Sequence, residues 1–547
     1  MDPRQTQYEI YAKRSAGSEW ALVEAGPDRE TALNTAQALF EERQGRSIRV
    51  DKAIFDPETG SYNTVSILAL GDAGGGEARA GKMAEPPCSM PEDLATLHGR
   101  RTIARVLKEW LSRELATPLE LLHRPDLAQR LEREGTMLQH AIQKTAMAQA
   151  AQFDANVQHF MKRLNELTEK SISALLQKAK KGTLPKIDKA GFGALADSLG
   201  EKQIFAMRAA VADALFPAET WADKIRILLS LADSVDGAAN HIAALGVVDD
   251  FLAEVLAVPP AADSLAPDAS CLGDKLEVFV ALIGGNETDA TSESGRALAR
   301  RFRAKDMRAA RSTLIRRVLG EMLKPQRLKP REFWNEAHQL RRLADAMIAM
   351  AGPDLPPEDI ADVFTYRSSR LVQAEAIDEA LKGASGAAEE IERLIRLDQA
   401  LAGSMAKKKL ASYLRGAVAA GRTEAELAKG AGKPLERAAR IAALQQTLLA
   451  SRVPDGEKAE IAALLDGLCM TVLGESRLFE IIATGPGAPL DRAAALLKLA
   501  ARGGLTKGRA SAEASAQAQA LVRQAVRDGA AAADKLSAIK SLLQDVA

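Results

Sequence analysis

Apolar positions change period once along the chain. In the first 70 residues they alternate: Tyr8-Glu-Ile10-Tyr and Trp20-Ala-Leu22-Val read as short strands. From Asp28, at an N-cap position, to about Gln44, the residues Ala32, Ala36, Leu39 and Phe40 recur at helical spacing. Ile48 and Val50 then alternate around Arg49, Asp56-Pro-Glu-Thr-Gly60 turns the chain, and Tyr62 to Leu70 returns. The order ββαββ predicts a small α+β docking or dimerisation module over 1–70. Residues 71–93, with Gly74-Gly-Gly76, Pro86-Pro87 and Pro91, read as a flexible linker that protease should cut first.

After the linker the period becomes helical and stays so. Residues 94–216 form a helical region in which 126–181 has no proline and a single glycine, Gly135. One helix of that length would span roughly 80 Å at 1.5 Å per residue. Phe153, Val157, Phe160, Leu164 and Leu167 step by four and three, a heptad seam, so a long rod or a coiled-coil hairpin is expected.

The C-terminal part repeats. Leu343, Pro353-Asp354, Ile360, Ile377, Gly386 and Gly403 match Leu444, Pro454-Asp455, Ile461, Leu478, Gly487 and Gly504 at a constant offset of 101. A more diverged copy pairs Pro217…Trp221 with Pro330…Trp334, Leu252–Leu256 with Ile377–Leu381, and Leu282–Gly285 with Ala400–Gly403. Three tandem helical repeats follow, 217–325, 330–425 and 430–547, as a continuous solenoid or as separate domains. Trp221 and Trp334 should anchor equivalent cores.

Composition agrees with that pattern. There are 547 residues, enough for three to five domains, and 103 alanines against 4% aromatics favour helices packed through small residues. The fold class is therefore mainly α, with a small N-terminal α+β (ββαββ) module followed by a long helical region and tandem all-α repeats. Hydrophobic (47%) and charged (27%) fractions are those of a folded globular protein. With no apolar h-region and no stretch of 18 uncharged apolar residues, a cytoplasmic protein without a membrane span is expected. Cys88, Cys271 and Cys469 are too widely spaced for a disulfide framework or a zinc knuckle.

Candidate chemistry is sparse. Gly76-Glu-Ala-Arg-Ala-Gly81-Lys82-Met83 nearly spells a P-loop, but Met83 replaces the magnesium-binding hydroxyl and Pro86-Pro87 prevents the helix that would face the phosphates. His98, His123, His140, His159, His241 and His338 show no metal-ligand spacing, and no nucleophile elbow occurs. No cofactor, metal or catalytic residue is assigned, and a non-enzyme is expected.

Charge adds one asymmetry to a chain whose 73 basic and 73 acidic residues cancel. Residues 246–294 carry ten acids and one base, whereas 296–331 carry thirteen bases and two acids. Arg300, Arg301, Lys305 and Arg308, and further on Lys407, Lys408 and Lys409, are the candidate partner-binding residues, with Arg301, Lys305 and Arg308 on one helical face. The competing reading is a solvated face paired with acids of its own segment, Arg301, Lys305 and Arg308 then lying near acids of 246–294. The function expected is a non-catalytic helical-repeat scaffold or adaptor for protein–protein interaction, its partners proteins, acidic ones among them, with homo-oligomers open. The alternative is a polyanion or nucleic-acid binder acting through 296–331, the third an enzyme of unrecognised type.

Overall fold

The computed structural model describes residues 6–13, 20–42, 47–56, 61–71, 88–153, 156–528 and 532–546. It is 71% helical, with 27 α-helices among the described residues and one four-stranded antiparallel sheet near the N-terminus. The chain is thus mainly α with a small N-terminal α+β module.

The module has the strands β1 (Thr6–Lys13), β2 (Ala21–Gly26), β3 (Ser47–Asp56) and β4 (Ser61–Gly71), with α1 (Arg29–Glu41) between β2 and β3. Sheet order is β2-β1-β3-β4. In the β1–β3 register Tyr8 stands opposite Lys52, Ile10 opposite Val50 and Ala12 opposite Ile48; β4 adds Leu68 beside Val50 and Leu70 beside Ile48. These residues share one face because alternate side chains of a strand point the same way. Tyr8, Ile10, Ile48, Val50 and Leu68 are buried there with Ala32, Leu33 and Ala36 of α1. Asp28 caps α1 by accepting the Thr31 N–H at 2.6 Å. On the opposite face the Arg49 guanidinium lies 5.0 Å from the Tyr11 ring and 4.8 Å from the Trp20 ring.

The expected linker lies mostly outside the described residues, as does the near-P-loop up to Pro87. The module is nonetheless fastened to the helical body. Lys52 Nζ reaches Asp359 at 2.9 Å and Asp362 at 3.2 Å, and Arg29 Nε reaches Asp362 at 2.6 Å. Burial opposes the charge of Lys52, but the two aspartates outweigh it and raise its pKa.

Residues 126–181 are not one helix. They form Pro125–Arg133, Gly135–Phe153 and Val157–Lys180. Glu134 leaves helical geometry (φ −87°, ψ 42°) next to Gly135. Asn156 caps the third helix by accepting the Gln158 N–H at 2.8 Å. The last two helices fold back on each other: Gln139 donates to Asn165 at 3.1 Å, and Ile142, Ala146, Phe160, Leu164 and Leu167 share one core. Of the two forms expected for the heptad seam, this is the hairpin and not the rod. A second core gathers Leu107, Trp110, Leu127 and Leu131.

The chain divides into two compact units, Met1–Lys329 with Arg342–Val363, and Pro330–Arg341 with Phe364–Ala547. Helices of six residues or more run in the same order through three successive segments. The first has Trp221–Ser234, His241–Ala257, Leu272–Ile283, Glu293–Ala304 and Arg308–Met322. The second has Phe333–Ala349, Pro357–Leu371, Ala374–Leu381, Ala387–Leu397 and Ser404–Ala419; the third has Pro434–Ala450, Asp455–Ser476, Leu478–Thr484, Pro489–Ala501 and Arg509–Arg527. Leu343 and Leu444 are buried on the first helix of their segments, and Ile377 and Leu478 lie on the third, Leu478 half-buried. The diverged pairing is less regular: Leu252–Leu256 lies on the second helix of its segment, whereas Ile377–Leu381 lies on the third. Trp221 is buried, whereas Trp334 is half-buried with the Arg396 guanidinium 5.0 Å from its ring.

Candidate functional site

The densest cluster of perturbed ionisable groups lies where the short helix Pro118–His123 meets the helices Leu97–Val106, Ile204–Ala214, Trp221–Ser234 and His241–Ala257. Thr117-Pro118-Leu-Glu120 starts the short helix with a capping box: Glu120 accepts the Thr117 N–H at 3.0 Å, and the Thr117 hydroxyl accepts the Glu120 N–H at 3.4 Å. Glu120 is fully buried and also meets Lys224 Nζ at 2.5 Å and Arg124 Nη1 at 3.2 Å. Lys224 is 1% exposed; burial lowers its pKa, and Glu120 offsets only part of that.

A second carboxylate sits at the same helix start. Glu254 accepts the Leu119 N–H at 2.8 Å and Arg100 Nη1 at 3.1 Å, while Asp250 bridges Arg100 at 3.5 Å and Arg208 at 2.8 Å. Burial pushes the Glu254 carboxyl up to about 7 against the pull of Arg100 and the Leu119 N–H. His123 closes the short helix, its Nδ1–H donating to the Leu119 carbonyl at 2.8 Å. Burial holds this imidazole neutral, its pKa lowered to about 4. A carboxyl near 7 could exchange protons at neutral pH, but both of its oxygens are already engaged with protein donors. This arrangement joins five helices.

The basic segment is largely absorbed by its own unit. Arg301 is surrounded by Asp233 at 2.5 Å, Asp236 at 2.9 Å and Asp306 at 3.1 Å. Burial works against its charge, and these three hydrogen-bonded carboxylates raise its pKa further all the same. Two of the three precede 246–294 and the third follows it. Acids within that stretch take other cations: Asp263 meets Lys275 and Arg317, and Asp274 meets Lys329 at 2.5 Å. Arg303 donates to the Gly285 carbonyl and Arg311 to that of Ile283.

The expected single face of Arg301, Lys305 and Arg308 does not form. The helix Glu293–Ala304 ends at Lys305, which is left-handed (φ 63°), and Arg308 opens the next helix. Of the candidate residues of this segment, Arg300, Lys305 and Arg308 face outward, exposed and without an ion-pair partner among the described residues. In the second segment Lys407 turns inward, toward Asp398 at 3.8 Å and the Arg452 carbonyl at 3.2 Å. Lys408 is exposed and Lys409 half-buried.

Sequence reading missed the Glu120 cluster, including the Thr117-Pro-Leu-Glu120 capping signal at its centre, the one local sign of it. Its other members come from positions up to 154 residues apart. Among the described residues no three His, Cys, Asp or Glu side chains gather to hold a metal ion, and no helix is long and apolar enough to cross a membrane. Compared with family models, curated proteins and solved structures, the chain matches none.

Proposed function

We propose that the chain is a non-catalytic scaffold or adaptor whose serial helical segments present surface to a protein partner. One recurring device carries this reading. In the first and third segments a buried aspartate of the second helix accepts N–H groups in the first turn of the fifth, and in the second segment a buried serine of the second helix accepts one two residues before the fifth begins. Asp249 takes those of Ala309 and Ala310, both at 2.8 Å; Ser368 takes that of Ala402 at 2.8 Å; Asp466 takes those of Arg509 at 2.7 Å and Ala510 at 3.2 Å. Thr365, at the 101-residue offset from Asp466, lies against Gly403 at the same helix start. The lock shared by the first and third segments, with the related bond in the second, supports descent from one repeated unit, and repeated helical units serve as binding surface.

Arg300, Lys305 and Arg308 are the residues proposed to meet an acidic partner, with Lys408 in the second segment. Arg301 and Lys407 leave that set, because their charges are spent inside. The test is capture from the native cell with the full chain and with the Arg300→Gln/Lys305→Gln/Arg308→Gln variant, each at graded salt. Salt-sensitive recovery of one protein by the parent and its loss from the variant supports the proposal. A second reading, polyanion binding, rests on the same three exposed cations within nine residues; steep salt-dependent retention on heparin that disappears in the variant favours it.

A further inference from the structure

The helices Leu97–Val106, Pro118–His123, Pro125–Arg133, Gly135–Phe153 and Val157–Lys180 line a cavity of about 110 Å³. Half of its wall residues are leucine or isoleucine, and no Asp, Glu, Lys or Arg lines it. The ion cluster around Glu120 uses the other sides of the same helices, Arg100 against His98 and Thr102, and Glu120 against Leu121 and Leu122. Two wall hydroxyls have spent their protons: Thr145 donates to the Ala141 carbonyl and Thr168 to that of Leu164, both at 2.8 Å.

Two larger polar side chains, His98 and Gln149, also face the cavity. Gln149, 6% exposed, lines the cavity, and its Oε1 has no hydrogen-bond donor within reach among the described residues. A buried carbonyl oxygen without a donor costs free energy, and natural folds rarely keep one without a reason. An ionised ligand would lose its hydration here without a counter-charge, whereas a neutral one with an O–H or N–H would supply the missing donor. Size is set by the volume: a cavity of about 150 Å³ accepts benzene, so this smaller one, of about 110 Å³, takes a body of no more than about six non-hydrogen atoms.

We propose that this cavity binds a small neutral molecule with an apolar body and a single hydrogen-bond donor, which the Gln149 side-chain carbonyl accepts. Phenol and toluene, equal in heavy atoms and differing by the hydroxyl, are the probes, and benzoate is the charged control. Titrations use the full chain and Gln149→Met, a change that keeps side-chain length and removes the acceptor; circular dichroism and melting temperature show that the fold is intact. The expected result is saturable binding of phenol, a ratio of phenol to toluene affinity that falls at least about fivefold in Gln149→Met, and benzoate bound at least about tenfold more weakly than phenol. Ala141→Leu, which adds an isopropyl group to the cavity wall, should abolish binding of both probes; Gln149→Met decides the matter if that filled variant loses its fold. No saturable binding of phenol, an unchanged phenol-to-toluene ratio in Gln149→Met, or benzoate bound as tightly as phenol would each overturn the proposal.

Discussion

Glu120 shows how one residue can fix several helices. It caps its own helix, neutralises Lys224 from 104 positions later and pairs with Arg124. Removing one partner of a buried pair leaves an uncompensated charge, so Glu120→Leu should cost roughly 3–5 kcal/mol in urea denaturation. Glu120→Leu/Lys224→Met should cost clearly less than the two single changes added together, because two of the buried charges leave at once. Simple additivity would show that the pair is not coupled. His123 and Glu254 give the cluster a readable pH signature. The unfolded chain protonates its histidine near 6.5 and the folded one near 4, so His123 favours the fold above 6.5 and loses that as pH falls toward 4. Glu254 has the opposite sign: its carboxyl, raised to about 7, favours the fold below the ordinary 4.5, and that is lost as pH rises through 7. Between 4.5 and 6.5 the two nearly cancel. His123→Gln should therefore make stability fall as pH rises across that window relative to the parent, and Glu254→Gln should make it rise, each by about 1.4 kcal/mol per pH unit. Denaturation curves with parental pH slopes in both variants would contradict the assignment.

Helix ends decide most of what differs between sequence and structure at the scale of elements. The ββαββ order, the cap at Asp28 and the heptad seam were legible because each is a local, periodic signal. The choice of hairpin over rod within 126–181 was not, since both arms of a fold-back keep the same apolar seam and Phe160, Leu164 and Leu167 satisfy it as well as a rod would. Asn156 carried the stop-and-restart signal. Lys305 illustrates the same limit: basic residues at i, i+4 and i+7 describe one face only if the helix continues, and it ends there in a left-handed turn that a lysine side chain does not favour. Lys305→Gly should stabilise the fold by roughly 0.5–1 kcal/mol, because Lys305 is exposed and makes no ion pair that the change would break. Loss of stability would mean that the side chain has an unrecognised role. The lock at Asp466 is stronger. Its carboxylate accepts the Thr506 hydroxyl at 2.6 Å and two N–H groups, and a Cβ on Gly508, whose φ is 135°, would stand 2.7 Å from its Oδ2. Asp466→Ala should cost about 2–3 kcal/mol, and Gly508→Ala a similar amount. The denaturation midpoint of each variant checks both values.

At the scale of the whole molecule, the charge reversal was plain in the sequence and its use was not. Neighbouring acidic and basic stretches suggested pairing with each other, yet Arg301 reaches back to Asp233 and Asp236 on another helix. Sequence distance does not report which helices the fold brings side by side. The result is a protein that pairs several cations of its basic segment internally, Arg301, Arg311, Arg317 and Lys329 among them, and leaves Arg300, Lys305 and Arg308 facing outward. An interaction surface should tolerate loss of these three charges in stability and not in association. The most direct measurement is quantitative capture from the native cell by the parent chain and by Arg300→Gln/Lys305→Gln/Arg308→Gln, with melting temperatures taken in parallel. The account predicts a protein partner recovered in stoichiometric amount by the parent, released by salt and lost from the triple variant, whose melting temperature stays within a degree or two of the parent's. Equal recovery by both chains, or no stoichiometric partner of either, would contradict it.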